Sequence, residues 1–375
     1  MGRVAKGKHV LFALTADRSD SREIALQRSS DDGANWARVF GISALLDGHS
    51  LVVSPDFASD GLILLNVDGR LFRSTDAGES WAEVTPSVDQ IVGTVQFSPD
   101  YTADRRLFAT ASTGRFDGYD GDPSLSGSTA DHEQSLGVIV STDGGLSWQP
   151  TPAQPAVDST PFRKVQALAL SPTFARDETM LAFAWGPRQN LLDRREMVDN
   201  VRVAFFVSRD AGATWKLLRE PTRDSSRGAP FPSRARFNVS IAMSPAFAED
   251  GTALATVAIR YGSPSSGSCS VERTTDAGNT WHRVMSSESG GACGGLAFGG
   301  DRRAKIAWAY RSGSRDQWMG STDGGRSWMP QRVAASTDPR GSFVARGGAL
   351  LVGSSEHGVI VLGPIDGDWR RTAGP

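Results

Sequence analysis

Two cysteines, five histidines and four tyrosines in 375 residues leave several chemistries with little to work from. The histidines stand nowhere at paired ligand spacing, which argues against a zinc site. No stretch approaches the roughly 20 consecutive apolar residues that a membrane-crossing helix needs. Charge of either sign is also missing as an excess: 40 Lys and Arg against 42 Asp and Glu leave a formal net charge of -2. That balance lacks the footprint of a nucleic-acid binder, so any charged site must be local. No metal and no cofactor is expected, and nothing asks for a second copy of the chain, so a monomer is expected. Near the amino terminus, the apolar stretch from Val10 to Ala16 is short for a signal peptide and matches a strand found in every later repeat.

Glycine (41), proline (19) and tryptophan (10) are what the chain has in quantity, and they recur in order. One eight-residue pattern, Ser/Thr-x-Asp-x-Gly-x-x-Trp, occurs six times, at 29–36, 74–81, 141–148, 208–215, 274–281 and 321–328. Its acids are Asp31, Asp76, Asp143, Asp210, Asp276 and Asp323, and its tryptophans Trp36, Trp81, Trp148, Trp215, Trp281 and Trp328. The residue types are those of a hairpin turn. The carboxylate accepts from backbone N–H groups just beyond it, glycine takes a positive φ, and the hydroxyls close the loop. The tryptophan opens the next strand with a large apolar face to wedge between sheets. These acids are therefore expected to be structural rather than acid/base or metal groups.

A second repeat, Ser-Pro-x-Phe/Tyr-x-x-Asp, precedes four of the boxes, at 54–60, 98–104, 171–177 and 244–250. Each follows one short apolar run and leads into another. The unit is strand A, the Ser-Pro turn, strand B, a loop, strand C, the box and strand D, which is a four-stranded antiparallel propeller blade. Residues 341–369 read as a degraded seventh unit ending in Asp366-Gly367-Asp368-Trp369, and the first unit begins at its strand B. The expectation is an all-β, single-domain β-propeller over residues 1–375, with seven blades favoured over six.

These boxes resemble the Asp-box, or BNR-repeat, propellers, a group that includes sialidases, xyloglucan hydrolases, sortilin-type receptors and the Ycf48-type photosystem II assembly factor. Combined with the Ser-Pro turns, they look most like bacterial BNR/YVTN-like repeat proteins. The resemblance covers nearly the whole chain and implies the fold far more strongly than an activity. It also implies that the boxes lie on the rim away from the functional face.

Box starts are spaced 45, 67, 67, 66 and 47 residues apart, so three intervals carry about 20 residues beyond a plain blade of roughly 40 to 45. The extras fall in the B–C loops at 112–136, 186–200 and 261–268, with long D–A crossings at 150–163 and 219–236. All belong on the face opposite the boxes, where long loops on a rigid scaffold usually carry binding. Arginines concentrate there, at Arg188, Arg194, Arg195, Arg223, Arg227, Arg234 and Arg236. A guanidinium fork suits carboxylates, phosphates and acidic peptides, though the same arginines have the acidic loop at 117–133 to pair with.

Two functions remain open at this point. The first is a non-enzymatic binding or assembly scaffold for a protein, peptide or glycan with acidic groups. The second is a divergent sialidase-like glycoside hydrolase, whose carboxylates would come from Asp117, Asp120, Asp131 and Glu133 and whose tyrosine would be Tyr261 or Tyr310. Against it, the Phe/Tyr-Arg-Ile-Pro motif of sialidases, which precedes their first box, has its nearest likeness here in Phe162-Arg163-Lys164, after the third. Cys269 and Cys293 fall on the loop-bearing side of adjacent blades. A disulfide, which would mark an oxidising compartment, and two neighbouring thiols are both open to them.

Overall fold

The computed structural model describes residues 10–16, 23–31, 35–43, 50–86, 90–113, 135–157, 160–162, 164–187, 201–220, 235–261, 267–287, 293–299, 306–311, 317–331, 344–346, 349–354, 358–362 and 370–371. Within them the chain is a β-propeller. Six antiparallel sheets have four strands each, in simple sequence order. We number the blades in chain order from the first sheet, which among the described residues has three strands, Leu11–Ala16, Glu23–Ser29 and Ala37–Ser43, and lacks a strand A. Blade two, Ser50–Val53, Ile63–Val67, Arg70–Ser74 and Ala82–Glu83, shows the complete unit. The last sheet comprises Val344–Arg346, Ala349–Ser354, Gly358–Leu362 and Arg370–Arg371.

Strand A of one blade contacts strand A of the next. Ser50–Val53 meets Gln90–Phe97, which meets Lys164–Leu170, then Ala235–Met243, Cys293–Gly299 and Val344–Arg346. The A strands therefore line the inside of the ring and the D strands its outside. The apolar faces pack between blades rather than within them. One core joins Phe183 and Phe205 of blade four to Phe237, Ile241 and Trp281 of blade five. Another joins Leu62 and Leu64 of blade two to Val95, Leu107 and Ile139 of blade three. Two box tryptophans show the wedge directly: Trp81 lies 5.3 Å from Phe40 of blade one, and Trp281 lies 5.1 Å from Phe205 of blade four.

The Ser-Pro motif forms one helical turn in each of four blades, Phe57–Asp60, Tyr101–Asp104, Phe174–Asp177 and Phe247–Asp250. In the first, the buried Ser54 hydroxyl donates to Asp60 at 2.8 Å, and Asp60 accepts from the Leu62 amide at 3.0 Å. The same serine-to-aspartate bond recurs in the others. Each turn ends on a left-handed residue, Gly61, Arg105, Glu178 or Gly251. In blades two, four and five the carbonyl of that residue accepts the amide of Ala77, Ala211 or Ala277 in the box of the same blade. Ser-Pro turns and boxes thus share one face of the ring.

Some boundaries differ from the sequence expectation. The crossing after blade three contains a two-stranded hairpin, Ala156–Val157 with Thr160–Pro161, where a plain loop was expected. The stretch 261–268, read as a long loop, is shortened to 262–266 because strands Ala253–Tyr261 and Gly267–Thr274 reach into it, which puts Cys269 inside a strand, and Arg219 ends strand Lys216–Arg219 instead of opening the crossing.

Candidate functional site

The B–C hairpins fix where the long loops leave the blades. The last cross-strand pairs are Ser112 with Ser135 in blade three, Pro187 with Val201 in blade four and Arg260 with Gly267 in blade five. Each lies at the strand end opposite the box, so the three loops emerge on the other face of the ring. Most of the residues singled out there, Asp117, Asp120, Asp131, Glu133, Arg188, Arg194, Arg195, Arg223, Arg227 and Arg234, lie outside the described residues. Two are fixed in backbone register at the same edge of blade five: Tyr261 pairs with Ala235, and Arg236 with Arg260. Tyr310 is buried at 3% exposure in blade six, its ring 5.2 Å from that of its cross-strand partner Trp318.

Cys269 and Cys293 are joined as a disulfide between blades five and six, with Cα atoms 5.6 Å apart and both residues buried beside Ala258. Arg219, at the root of the arginine-bearing crossing, pairs across the blade boundary with Glu272 at 2.9 Å. Its charge is spent on joining blades four and five.

On the box face, the hydrogen bonds explain the acids completely. Asp143 accepts from the Ser141 hydroxyl (2.8 Å), the Leu146 amide (3.0 Å), and the Ser147 amide (2.9 Å) and hydroxyl (2.5 Å). Asp76, Asp210, Asp276 and Asp323 repeat the pattern. Burial works to raise the Asp143 carboxyl, but the Ser147 hydroxyl and amide, the Ser141 hydroxyl and the Leu146 amide outweigh it and bring it down to about 2. The Ser80 hydroxyl, followed by its amide and the Ser74 hydroxyl, holds Asp76 well below the carboxylate range. Carboxylates this committed and this acidic are poor proton donors near neutral pH.

The same face carries a feature that motif reading missed. Between blades two and three lies a cleft of about 320 Å³, lined by Asp60, Leu62, Arg73, Thr75, Tyr101, Arg105, Thr142, Asp143 and Gly144. Arg73, directly before the second box, donates from Nε to the Gly144 carbonyl at 2.9 Å. Arg105 stacks on the Tyr101 ring at 5.2 Å and pairs with Asp60 at 3.5 Å. Burial raises the Tyr101 hydroxyl above its ordinary range, and the hydrogen bond with Arg105 opposes the shift. The signal available in the sequence was small: Tyr101 replaces the Phe of the sister turns, and Arg105 stands where two of them have glycine.

No protein-family model and no curated protein matches the chain. Solved structures do. The chain is similar to an oligogalacturonate lyase in complex with manganese (11% identity, TM-score 0.50, 99% of this chain and 86% of that one). It is also similar to a PL25 ulvan lyase polysaccharide complex (10% identity, TM-score 0.52, 95% and 88%). YCF48 from Cyanidioschyzon merolae is similar over 93% of this chain and 94% of its own, at 13% identity and a TM-score of 0.45. At these identities the shared property is the fold.

Proposed function

We propose that the chain is a binding or assembly scaffold whose loop-bearing face engages a protein, peptide or glycan with acidic groups. What supports this reading is the direction of the hairpins: the two with the longest loops, closed by Ser112 with Ser135 and by Pro187 with Val201, open on one side of the ring, away from the box turns. The sequence places Arg188, Arg194 and Arg195 between the ends of the second of these hairpins, and Arg223, Arg227 and Arg234 in the crossing between Lys216–Arg219 and Ala235–Met243. A rigid ring bearing long loops with paired guanidinium forks suits recognition of carboxylate or phosphate groups.

The test is an array of acidic peptides and glycans probed with the purified chain, beside a panel of fluorogenic glycosides that includes sialosides. The expected result is saturable capture without turnover, weakened at least tenfold when Arg223, Arg227, Arg234 and Arg236 are replaced together by alanine. Capture unchanged by that replacement overturns the assignment of the site. Turnover lost on replacing Asp117, Asp120, Asp131 or Glu133 overturns the scaffold reading in favour of a glycoside hydrolase.

A further inference from the structure

The cleft between blades two and three departs from its sister interfaces in three residues at once. In the Ser-Pro turns the aromatic position is Phe57, Phe174 or Phe247, but Tyr101 in blade three. The left-handed closing position is Gly61 and Gly251 in two blades, whereas Arg105 adopts φ 53° there, a conformation that costs a residue with a Cβ about 1 kcal/mol or more. The third departure is in the box. Ala77, Ala211 and Ala277 occupy the left-handed position before the glycine, where blade three has Gly144. A methyl group at Gly144 would lie 2.9 Å from the Tyr101 hydroxyl and 3.7 Å from an Arg73 Nη. Hydroxyl and guanidinium therefore converge on space that the boxes of blades two, four and five fill with a methyl; blade six also has a glycine there, Gly324, whose carbonyl accepts from Arg273 Nε at 2.8 Å, but no Ser-Pro turn precedes that box.

The donors at this spot are under-used. Arg73 spends Nε on the Gly144 carbonyl, and among the described residues no acceptor takes its Nη hydrogens. Arg105, half exposed, holds the Tyr101 hydroxyl and, at 3.5 Å, Asp60, the latter longer than the 2.7–2.9 Å typical of a charge-assisted bond. The two acids on the rim are already engaged, Asp60 by the Ser54 hydroxyl and Leu62 amide and Asp143 by its box. Two guanidiniums balance two carboxylates, so the cleft offers no net charge to a polyanion, and a ligand carboxylate would be held by the unspent Arg73 Nη hydrogens. The Thr75 and Thr142 hydroxyls on the lining can meet ligand hydroxyls. The volume corresponds to roughly ten waters.

We propose that this cleft is a binding site for a small hydroxylated monocarboxylate of the sugar-acid type, its carboxylate on Arg73 and Arg105. The site lies on the box face and is independent of the loop-bearing face. Glu178 shares the left-handed backbone of Arg105 and Gly324 shares the glycine of Gly144, but Tyr101, Arg105 and Gly144 come together in no other Ser-Pro blade.

The test titrates the full chain with glucuronate by calorimetry, with glucose and inorganic phosphate as controls, and repeats it on Arg105→Gly, Tyr101→Phe and Gly144→Ala. Arg105→Gly and Tyr101→Phe install what sister blades carry, and Gly144→Ala asks only the Tyr101 hydroxyl, 2.9 Å from the new methyl, to give way; folding of each is checked by an unchanged circular dichroism spectrum and a melting temperature that does not collapse. Arg105→Gly should weaken glucuronate at least tenfold without lowering thermal stability, and the other two should weaken it severalfold. Glucose should not bind. Absence of saturable glucuronate binding, binding indifferent to Arg105→Gly, or phosphate binding as tightly as glucuronate each overturns the proposal.

Discussion

Removing one box carboxylate gives a measurable test of the turn. At Asp143 four donors converge, and the group is exposed to solvent. Water and salt recover part of each lost bond, leaving about 0.5–1 kcal/mol apiece and about 2–4 kcal/mol for Asp143→Ala. The reporter is the buried Gly145 amide, which donates to the Ser141 hydroxyl at 2.8 Å, a hydroxyl that Asp143 itself orients. Hydrogen exchange at neutral pH should show its protection fall roughly 30- to 1,000-fold. Asp143→Asn keeps one carbonyl acceptor and should lose less.

The pH dependence follows from the sign of the shift. The carboxyl is lowered from 3.8 to about 2 in the folded chain, so its contribution is complete above the unfolded value and disappears as pH falls through the folded one. The difference between the native chain and Asp143→Asn should therefore shrink between about pH 4 and pH 2 and vanish below it. A loss of protection under about threefold in the alanine variant, or a difference that persists unchanged below about pH 2, refutes the reasoning.

Two other perturbations test the joints between blades. Cys269 and Cys293 are separated by 24 residues, a loop whose closure is worth about 3 kcal/mol. Reductant should lower the melting temperature of the native chain and leave that of the Cys269→Ser, Cys293→Ser chain unmoved; equal responses would show that the bridge does not restrain blades five and six. Asn66, 3% exposed, donates to the Val92 and Gly93 carbonyls at 2.6 and 2.8 Å and accepts from the Gly69 amide at 3.1 Å. Asn66→Ala should cost about 2–4 kcal/mol in urea unfolding because two buried backbone groups and one half-buried one lose partners, and a cost under about 0.5 kcal/mol would contradict that network.

The blade unit was legible in the sequence because local chemistry specifies it. Serine, aspartate and glycine at fixed offsets close a turn whatever surrounds them, so the boxes, the Ser-Pro turns and the A-to-D strand order appear as read. Gln96 shows what remained hidden. Its side chain donates to the Leu168 carbonyl at 2.6 Å and accepts from the Leu170 amide at 3.2 Å, bridging strand A of blades three and four. Nothing in its sequence neighbourhood distinguishes it from a solvated glutamine. Tyr310, read as a candidate for a catalytic face, is buried against Trp318, because alternation along a strand shows that two faces differ and not which of them meets the core.

Sequence by itself determined the repeated turn, closed by residues a few positions apart, the strand order that successive hairpins impose on each blade, and, through the repetition of that unit, the propeller class. Tertiary structure alone decided which residues meet across blades. Arg73 reaches Gly144, Arg219 reaches Glu272, and Arg105 returns to Asp60. The cleft formed by the first and last of these exists only where the packing of blade two on blade three brings two turns, far apart in the chain, side by side.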